Sequence, residues 1–419
     1  MVNKKTIKIG VNVSFLRKRG SGTEQVTRGF LRKLIDFSQD VTLIKDPVLR
    51  EKFLRVEFCL YAEEDFDLEL PGNFYKKVFL PAFYWRDDLI RKVIWEKLLL
   101  PSRVRQDGCQ VFFSLYQSPT ILGGTPHLML VHDVVWKLFP NYLNNSRKKT
   151  YQWLVDRAIS RASQLLTVSR YSRQLIARHF NFSKEQIKVA YIDCDPLFKK
   201  VSASEETDRR VLSSYNLASG QSYIFYIGGF DVRKNAAGLI EAYGKLVASL
   251  VSQGWKEGEV PGLILAGKFH SHLVPLVTDV PVIIKEVSAR YGFSRSKIKL
   301  PGFVPTEEVV SFFRQALFAC YPSFYEGFGI PPLEAMACGC PVITSHTSSL
   351  PEVVEESALL VDPENSQDVA QAMEKLTQSA TMRADLKEKG LEQAKKFSWE
   401  SFTEKALKEI FDLVDHQHS

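Results

Sequence analysis

The stretch richest in chemistry reads Glu326-Gly-Phe-Gly-Ile-Pro-Pro-Leu-Glu334. It follows a short apolar strand, Phe318–Tyr321, and leads into a helix. Gly327 and Gly329 let the backbone approach a ligand closely and leave amide N–H groups to it. A helix start adds further donors and the positive end of a dipole, a setting suited to phosphate oxygens. Carboxylates at the two ends of such a loop can accept hydrogen bonds from hydroxyls of two different sugar rings. Taken singly, either Glu reads more readily as an acidic residue complementing the helix dipole; the string as a unit favours a ligand. A second element is Gly228-Gly-Phe-Asp-Val-Arg-Lys-Asn235. Arg233 can bind two oxygens at once and Lys234 supplies a point charge, so the pair suits a diphosphate. Adjacent cations near a helix start oppose the dipole, which argues against a merely solvated pair. Two weaker elements are His132-Asp133, at the end of a strand, and the glycine loop Gly20-Ser-Gly22. A lone His is more often structural, and a short glycine loop is a weak signal by itself.

The elements around these residues alternate. Ile7–Val13 reads as a strand, the basic loop 17–23 follows, and Gln25–Phe37 has helical spacing of Val26, Phe30, Leu31, Leu34 and Ile35. Strands are expected at 111–114, 127–131, 164–168 and 187–191, and helices at 146–162 and 169–179. Residues 197–220 are polar and suit a linker. Alternation then resumes, with strands at 223–227, 263–266, 318–321 and 341–344 and helices from about Asn235, at 332–337 and at 366–378. This rhythm implies mostly parallel sheets covered on both faces. The chain has 419 residues, and single cores stop growing at about 250–300. Two α/β domains are therefore expected: 1–196, then the linker 197–220, then 221–399, with an amphipathic C-terminal helix, 400–419, packing back on the first domain.

A charged fraction of 25% and a hydrophobic fraction of 45% are those of a soluble globular protein. A net charge of +7 is compatible with a phosphate-bearing ligand or an anionic membrane, and too small to indicate nucleic acid. The six cysteines include one close pair, Cys338-Gly-Cys340, and no metal-ligand pattern. No metal site is expected. No apolar signal-peptide core follows Met1, and no run of about 18 apolar residues occurs. A cytoplasmic protein is expected, with contact on the inner face of a membrane left open.

These motifs resemble family 4 of the retaining glycosyltransferases, whose mark is two Glu residues separated by seven others. Here they are Glu326 and Glu334, continuing as Ala335-Met-Ala-Cys-Gly-Cys-Pro-Val-Ile343; Ser348-Ser-Leu-Pro-Glu352 and Leu359-Leu-Val-Asp-Pro363 match later landmarks. The resemblance covers nearly the entire chain and is specific over 223–363. It implies a GT-B fold, two Rossmann-like parallel-sheet domains facing across a cleft. It implies that Glu326 binds donor-sugar hydroxyls, that Glu334 binds the nucleotide ribose, and that backbone amides at Phe328, Gly329 and Ile330 meet the sugar or diphosphate. The family commonly places an Arg directly after the first glycine, Gly228. Here Gly229 stands there, Lys234 matches the family's Lys, and Arg233 is expected to supply the missing guanidinium. By the same resemblance His132 contacts the donor sugar, and Gly20 and Gly22 face the diphosphate or the acceptor.

The Gly-Gly-Phe-Asp-x-Arg-Lys-Asn variant resembles a subgroup of mannosyltransferases and related O-antigen or exopolysaccharide enzymes. The implied reaction is transfer of a hexose, mannose from GDP-mannose, with retention and without a metal cofactor, to a glycan or lipid-linked saccharide acceptor. Open alternatives are a UDP-sugar donor, an epimerase of the same fold, or a degenerate nucleotide-sugar-binding scaffold. Phe74–Arg86 mixes aromatics with cations, and Leu89–Leu100 continues as an apolar helical stretch. This region reads either as an anionic-membrane surface or as a core-packed helix with solvated lysines.

Overall fold

The computed structural model describes residues 6–18, 20–80, 88–200, 204–217, 221–270 and 273–417. The chain forms two units, one of residues 1–193 with 397–419 and the other of 194–396. In the first, β1 (Ile7–Asn12), β2 (Val56–Ala62), β3 (Phe74–Val78), β4 (Val111–Ser114), β5 (His127–Val131), β6 (Gln164–Thr167) and β7 (Ile187–Val189) make one parallel sheet. Its order is β3-β2-β1-β4-β5-β6-β7. β4 and β5 are buried along their whole length, as expected of strands covered on both faces. The direction of strand order reverses between β1 and β4. Ligands of such sheets bind outside the carboxyl ends of the strands at that point.

α1 (Gly22–Gln39) starts at Ser21, whose hydroxyl accepts from the Glu24 amide at 3.1 Å. Its inner face carries Val26, Phe30, Leu31 and Leu34, all fully buried. α2 (Asp88–Ile94) runs into a π-helical turn, Trp95–Leu99, and α3 (Ser146–Ile159) follows β5. The C-terminal helix, Trp399–Asp415, packs on α1. The closeness of that contact rests on Gly29, where an added Cβ would stand 2.3 Å from the Trp399 ring.

Part of the region read as a membrane surface takes another role. Phe74–Val78 is the edge strand β3, with Phe74 stacked on Phe58 at 4.8 Å and Lys77 paired to Asp107 at 3.2 Å. Its lysines sit where an edge strand is normally blunted by charge. Residues 81–86 of that region lie outside the described residues.

The second unit has β8 (Tyr223–Ile227), β9 (Gly262–Ala266), β10 (Ile298–Gly302), β11 (Phe318–Tyr321), β12 (Val342–Ser345) and β13 (Leu359–Val361). Their order, β10-β9-β8-β11-β12-β13, is the doubly wound order of dinucleotide-binding domains, with the reversal between β8 and β11. The segment read as a linker contains α4 (Glu205–Ser214), which docks on this unit. Asp208, 2% exposed, accepts two hydrogen bonds from Arg314, at 2.7 and 3.0 Å, and one from Ser311 at 2.8 Å, both on α6 (Thr306–Gln315). Polar composition concealed this helix because its anchor is an ion pair rather than an apolar stripe.

Gly29→Ala tests the α1 contact. Ala favours an isolated helix by about 1 kcal/mol, but the clash with the Trp399 ring should outweigh that gain. A net loss of about 1–3 kcal/mol in denaturant unfolding is expected; unchanged stability would show that the contact is loose.

Candidate functional site

The reversal between β8 and β11 collects three loops. The first leaves β8 at Gly228, whose φ is +154°. The Gly228 amide donates to Ala266 O at 3.0 Å, and its own carbonyl lies 2.0 Å from where a Cβ on Gly267 would stand. Only glycine at 267 lets the turns after β8 and β9 touch. Tyr226 Oη donates to Gly229 O at 2.6 Å and fixes the turn from below. Asp231 caps a short 3-10 turn, Val232–Lys234. Asn235, left-handed at φ +55°, then caps α5 (Ala236–Ser252), its Oδ1 accepting from the Gly238 amide at 3.1 Å.

The second loop, 322–329, leaves β11. Asn235 Nδ2 donates to Pro322 O at 3.0 Å and to Pro363 O at 2.7 Å, and the Phe324 amide donates to Arg233 O at 2.8 Å. The side chains complete the junction. Lys234 Nζ donates to Glu326 Oε1 at 2.7 Å, and Arg233 Nη1 to Glu326 Oε2 at 3.1 Å and Tyr325 O at 3.0 Å. Ser323 Oγ adds a contact to Glu326 Oε1 at 3.2 Å. Burial raises the Glu326 carboxyl, but Lys234 and then Arg233 outweigh it and hold it below its ordinary 4.5. The ion-paired carboxylate is the stable form.

The third loop follows β12. Ser348 Oγ accepts from the Glu326 amide at 3.1 Å, and Ser349 Oγ lies 2.8 Å from both Glu326 O and Phe328 O. Gly329, at φ +111°, heads α7 (Ile330–Ala337), and a Cβ there would approach Leu350 to 2.9 Å. Pro331 and Pro332 carry no N–H, so the amide donors at this helix end narrow to those around Gly329 and Ile330. Glu334, 6% exposed, lies within α7.

The sequence reading gave the two cations and Glu326 separate ligand groups. The structure brings all three into one ion cluster, in which the cations grip the carboxylate. Gly228, Phe328, Gly329, Ile330 and Glu334 belong to the same unit; His132, Gly20 and Gly22 belong to the other. His132 Nε2 lies 2.9 Å from Leu115 O, so that nitrogen carries the proton, and the His132 amide donates to Gln117 at 3.3 Å. Burial lowers the imidazole against the opposing pull of the Leu115 carbonyl and Asp133, which favours the neutral ring. Gly20, at φ +79°, precedes the Ser21 cap, and Gly22 is the first residue of α1.

Several contributors escaped the sequence reading. Asn235, a helix start by its sequence, is also the tie between two loops. Ser323 carries no signal beyond its place after an apolar strand, and Ser348 and Ser349 are legible only as part of a family landmark, without the loop they secure. A cavity of about 410 Å³ opens beside Gly228, lined by Phe230, Gly267, Lys268, Phe269, His270 and Leu300. Its walls come from segments separated by up to 70 residues, a grouping invisible in linear sequence.

Tandem doubly wound sheets, with loops and cations gathered at the second reversal, define a GT-B protein. A glycosyltransferase from Rickettsia africae superposes with a TM-score of 0.67 at 13% identity, covering 98% of this chain and 99% of that one, which shows the fold. The O-antigen chain mannosyltransferase B of Escherichia coli is 33% identical over 282 residues, 66% of this chain and 68% of that protein. A serotype-specific mannosyltransferase WbdA of Escherichia coli is 27% identical over 61% of this chain, a match spanning only 29% of that longer protein. The profile of the family described as glycosyl transferases group 1 matches residues 208–393. The chain belongs to that family and is a sugar-transferring enzyme.

The depressed carboxyl of Glu326 sets a pH dependence. Its contribution to stability is present above its ordinary 4.5 and is lost as the pH falls through the lower folded-state value. Glu326→Gln should therefore be less stable than wild type at neutral pH, with a gap that narrows below pH 4.5. Urea midpoints across a pH series measure this; a gap independent of pH would refute the ion cluster.

Proposed function

We propose that the enzyme transfers a hexose, mannose from GDP-mannose, onto a glycan or lipid-linked saccharide with retention at the anomeric carbon. The observation that carries this reading is the cluster of Arg233, Lys234 and Glu326 at the carboxyl ends of β8 and β11, beside the glycine-headed α7. Asp231 also stands 3.6 Å from Arg233, so two carboxylates match the two cations until a diphosphate competes for them. Cations fixed by packing stabilise the charge that builds on a departing diphosphate without needing to reorganise. In this role they replace a metal ion. Amides at Phe328, Gly329 and Ile330 add donors from the helix end.

In this reading Glu326, once a diphosphate competes for its cations, turns an oxygen to the hexose hydroxyls, and Glu334 takes the ribose. The base lies in the cavity walled by Phe230, Phe269 and Leu300. The acceptor hydroxyl attacks from the face the diphosphate leaves, and its proton passes to a departing phosphate oxygen. His132, neutral and held by Leu115, is a side chain of the first unit suited to sugar hydroxyls. That both Escherichia coli relatives are mannosyltransferases supports mannose as the hexose.

A panel of GDP, UDP and ADP sugars, with EDTA present throughout, tests the donor site. The true donor raises the melting temperature by mass action, and GDP-mannose should lead. Lys234→Ala, Arg233→Ala and Glu326→Ala should each lower turnover by about 10²–10³-fold, the usual loss for one preorganised charge-stabilising group. Near-normal turnover in all three, or activity abolished by EDTA, would refute the site as drawn.

We further infer that the first unit meets a membrane surface. α2 and α3 frame a groove of about 370 Å³ lined by Leu89, Ile90, Val93, Ile94 and Leu154. Arg147 also lines the groove, and Lys148 and Lys149 stand exposed in the same first turn of α3. Apolar side chains rimmed by cations suit an anionic bilayer. Among the described residues no helix is long and apolar enough to cross a membrane. The protein should sediment with anionic vesicles at low salt and be released at high salt; no sedimentation at low salt would remove this inference.

A further inference from the structure

The reversal between β1 and β4 in the first sheet carries a second polar assembly, and none of its residues figures in the donor site. Asn12 ends β1 and Ser14 follows it; Tyr116 lies just beyond β4. Asn12 Nδ2 donates to Tyr116 Oη at 3.0 Å, and Ser14 Oγ lies 2.7 Å from the same oxygen. Tyr116 Oη donates to one oxygen of Glu96, and Tyr151 Oη donates to the other at 3.0 Å. Glu96 is wholly buried, within the π-helical turn that follows α2. Such turns often sit at functional sites.

One turn before Glu96, Lys92 reaches into this assembly. Its Nζ stands 4.9 Å from the Phe15 ring centroid, 5.2 Å from Tyr116 and 5.1 Å from Tyr151. Its side chain is only 16% exposed, and the nearest carboxylate oxygen, on Glu96, is 3.9 Å away, beyond hydrogen-bond reach. No acceptor among the described residues takes any of its three N–H bonds. Three ring faces attract the ammonium but accept no conventional hydrogen bond. A nearly buried ammonium with unused donors costs free energy unless something supplies oxygens. Both Glu96 oxygens are already held by tyrosines. Arg91, on the same helix, is instead matched to Glu63 at 3.0 Å and Glu64 at 3.2 Å.

The place of this lysine is as informative as its chemistry. It stands over rings from the loops that leave β1 and β4, where a doubly wound sheet receives its ligand. The 115–117 loop joins it to His132: Leu115 O takes the His132 ring proton, Gln117 takes the His132 amide, and Tyr116 faces Lys92. Burial pushes the Glu96 carboxyl up, against the opposing pull of the Lys92 charge and the Tyr116 hydroxyl.

We propose that Lys92 is an anion-binding side chain of the first unit, holding a phosphate oxygen of the acceptor at the carboxyl ends of β1 and β4. The inference rests on the reading of the chain as a transferase with a saccharide acceptor, and adds that this acceptor bears a phosphate. That phosphate has two chemical sources: a phosphorylated sugar, or the phosphate joining a saccharide to an apolar chain.

Calorimetry on the full chain separates the sources. Mannose 6-phosphate is compared with mannose, and octyl phosphate with octyl mannoside, in wild type, Lys92→Gln, Lys92→Met and Lys92→Arg. At least one phosphate probe should bind about tenfold or more tightly than its neutral counterpart, as charge-assisted hydrogen bonds allow. Lys92→Gln and Lys92→Met should each erase that advantage, and Lys92→Arg should keep most of it. The mannose pair responding assigns a sugar phosphate; the octyl pair responding assigns a lipid phosphate. Binding of the nucleoside diphosphate, measured alongside, should be unchanged in every Lys92 variant and shows that each is folded. The proposal is overturned if wild type does not distinguish phosphate from neutral probes, or if Lys92→Gln and Lys92→Met retain the difference. It is also overturned if Lys234→Ala abolishes the difference while both Lys92 variants keep it. Failure of nucleoside diphosphates to bind wild type would sink the donor-site reading instead, and the probe comparison would still decide Lys92.

Discussion

The buried carboxylate of Glu326 joins two loops that start on neighbouring strands. One oxygen takes Lys234 and the other takes Arg233, both from the loop after β8, while the carboxylate itself belongs to the loop after β11. A carboxylate moved out of water needs charge partners nearby, and removing one member of such a set leaves the others uncompensated. The trio is therefore a constraint as well as a chemical resource. It holds Lys234 on the carboxylate and Arg233 against both the carboxylate and the Tyr325 carbonyl, and so sets where Gly327, Phe328 and Gly329 must run. The serines after β12 then secure the loop from its other side.

That constraint depends on the parallel sheet. β8 and β11 are neighbours although nearly a hundred residues separate them, and their following loops leave on the same edge. The order β10-β9-β8-β11-β12-β13 opens a crevice only where the winding reverses. Gly228 and Gly267 let the turns after β8 and β9 touch at its floor. The cavity beside Phe230 then extends the same edge toward β9 and β10.

The first unit repeats the topology with different contents. Just beyond β2, Arg17 and Arg91 flank the buried carboxylate of Glu63 at 3.6 and 3.0 Å. The reversal between β1 and β4 holds a carboxylate saturated by tyrosines and a lysine caged by rings. In the second unit cations and carboxylate satisfy one another; in the first, the lysine is left with donors to offer. The same sheet architecture thus carries two electrostatic designs, consistent with the rule that function resides in sites grafted on folds.

Sequence alone determined the alternation of strands and helices, the pair Glu326 and Glu334 with its glycines, and the cations at 233 and 234. Those signals are local: period-two and period-3.6 patterns, turn residues, and charges placed against a helix dipole. It did not disclose β3, whose lysines and aromatics read as a surface, or α4, whose anchor is Asp208 paired with Arg314. Nor did it show that Arg233 and Lys234 hold Glu326, that Asn235 ties β8 to β11, or that Lys92 meets rings from residues 15, 116 and 151. Each of these is a pairing between segments dozens of residues apart. Local pattern specifies which way a side chain faces from its own element. Only the order of strands in the sheet decides which other side chain it meets there.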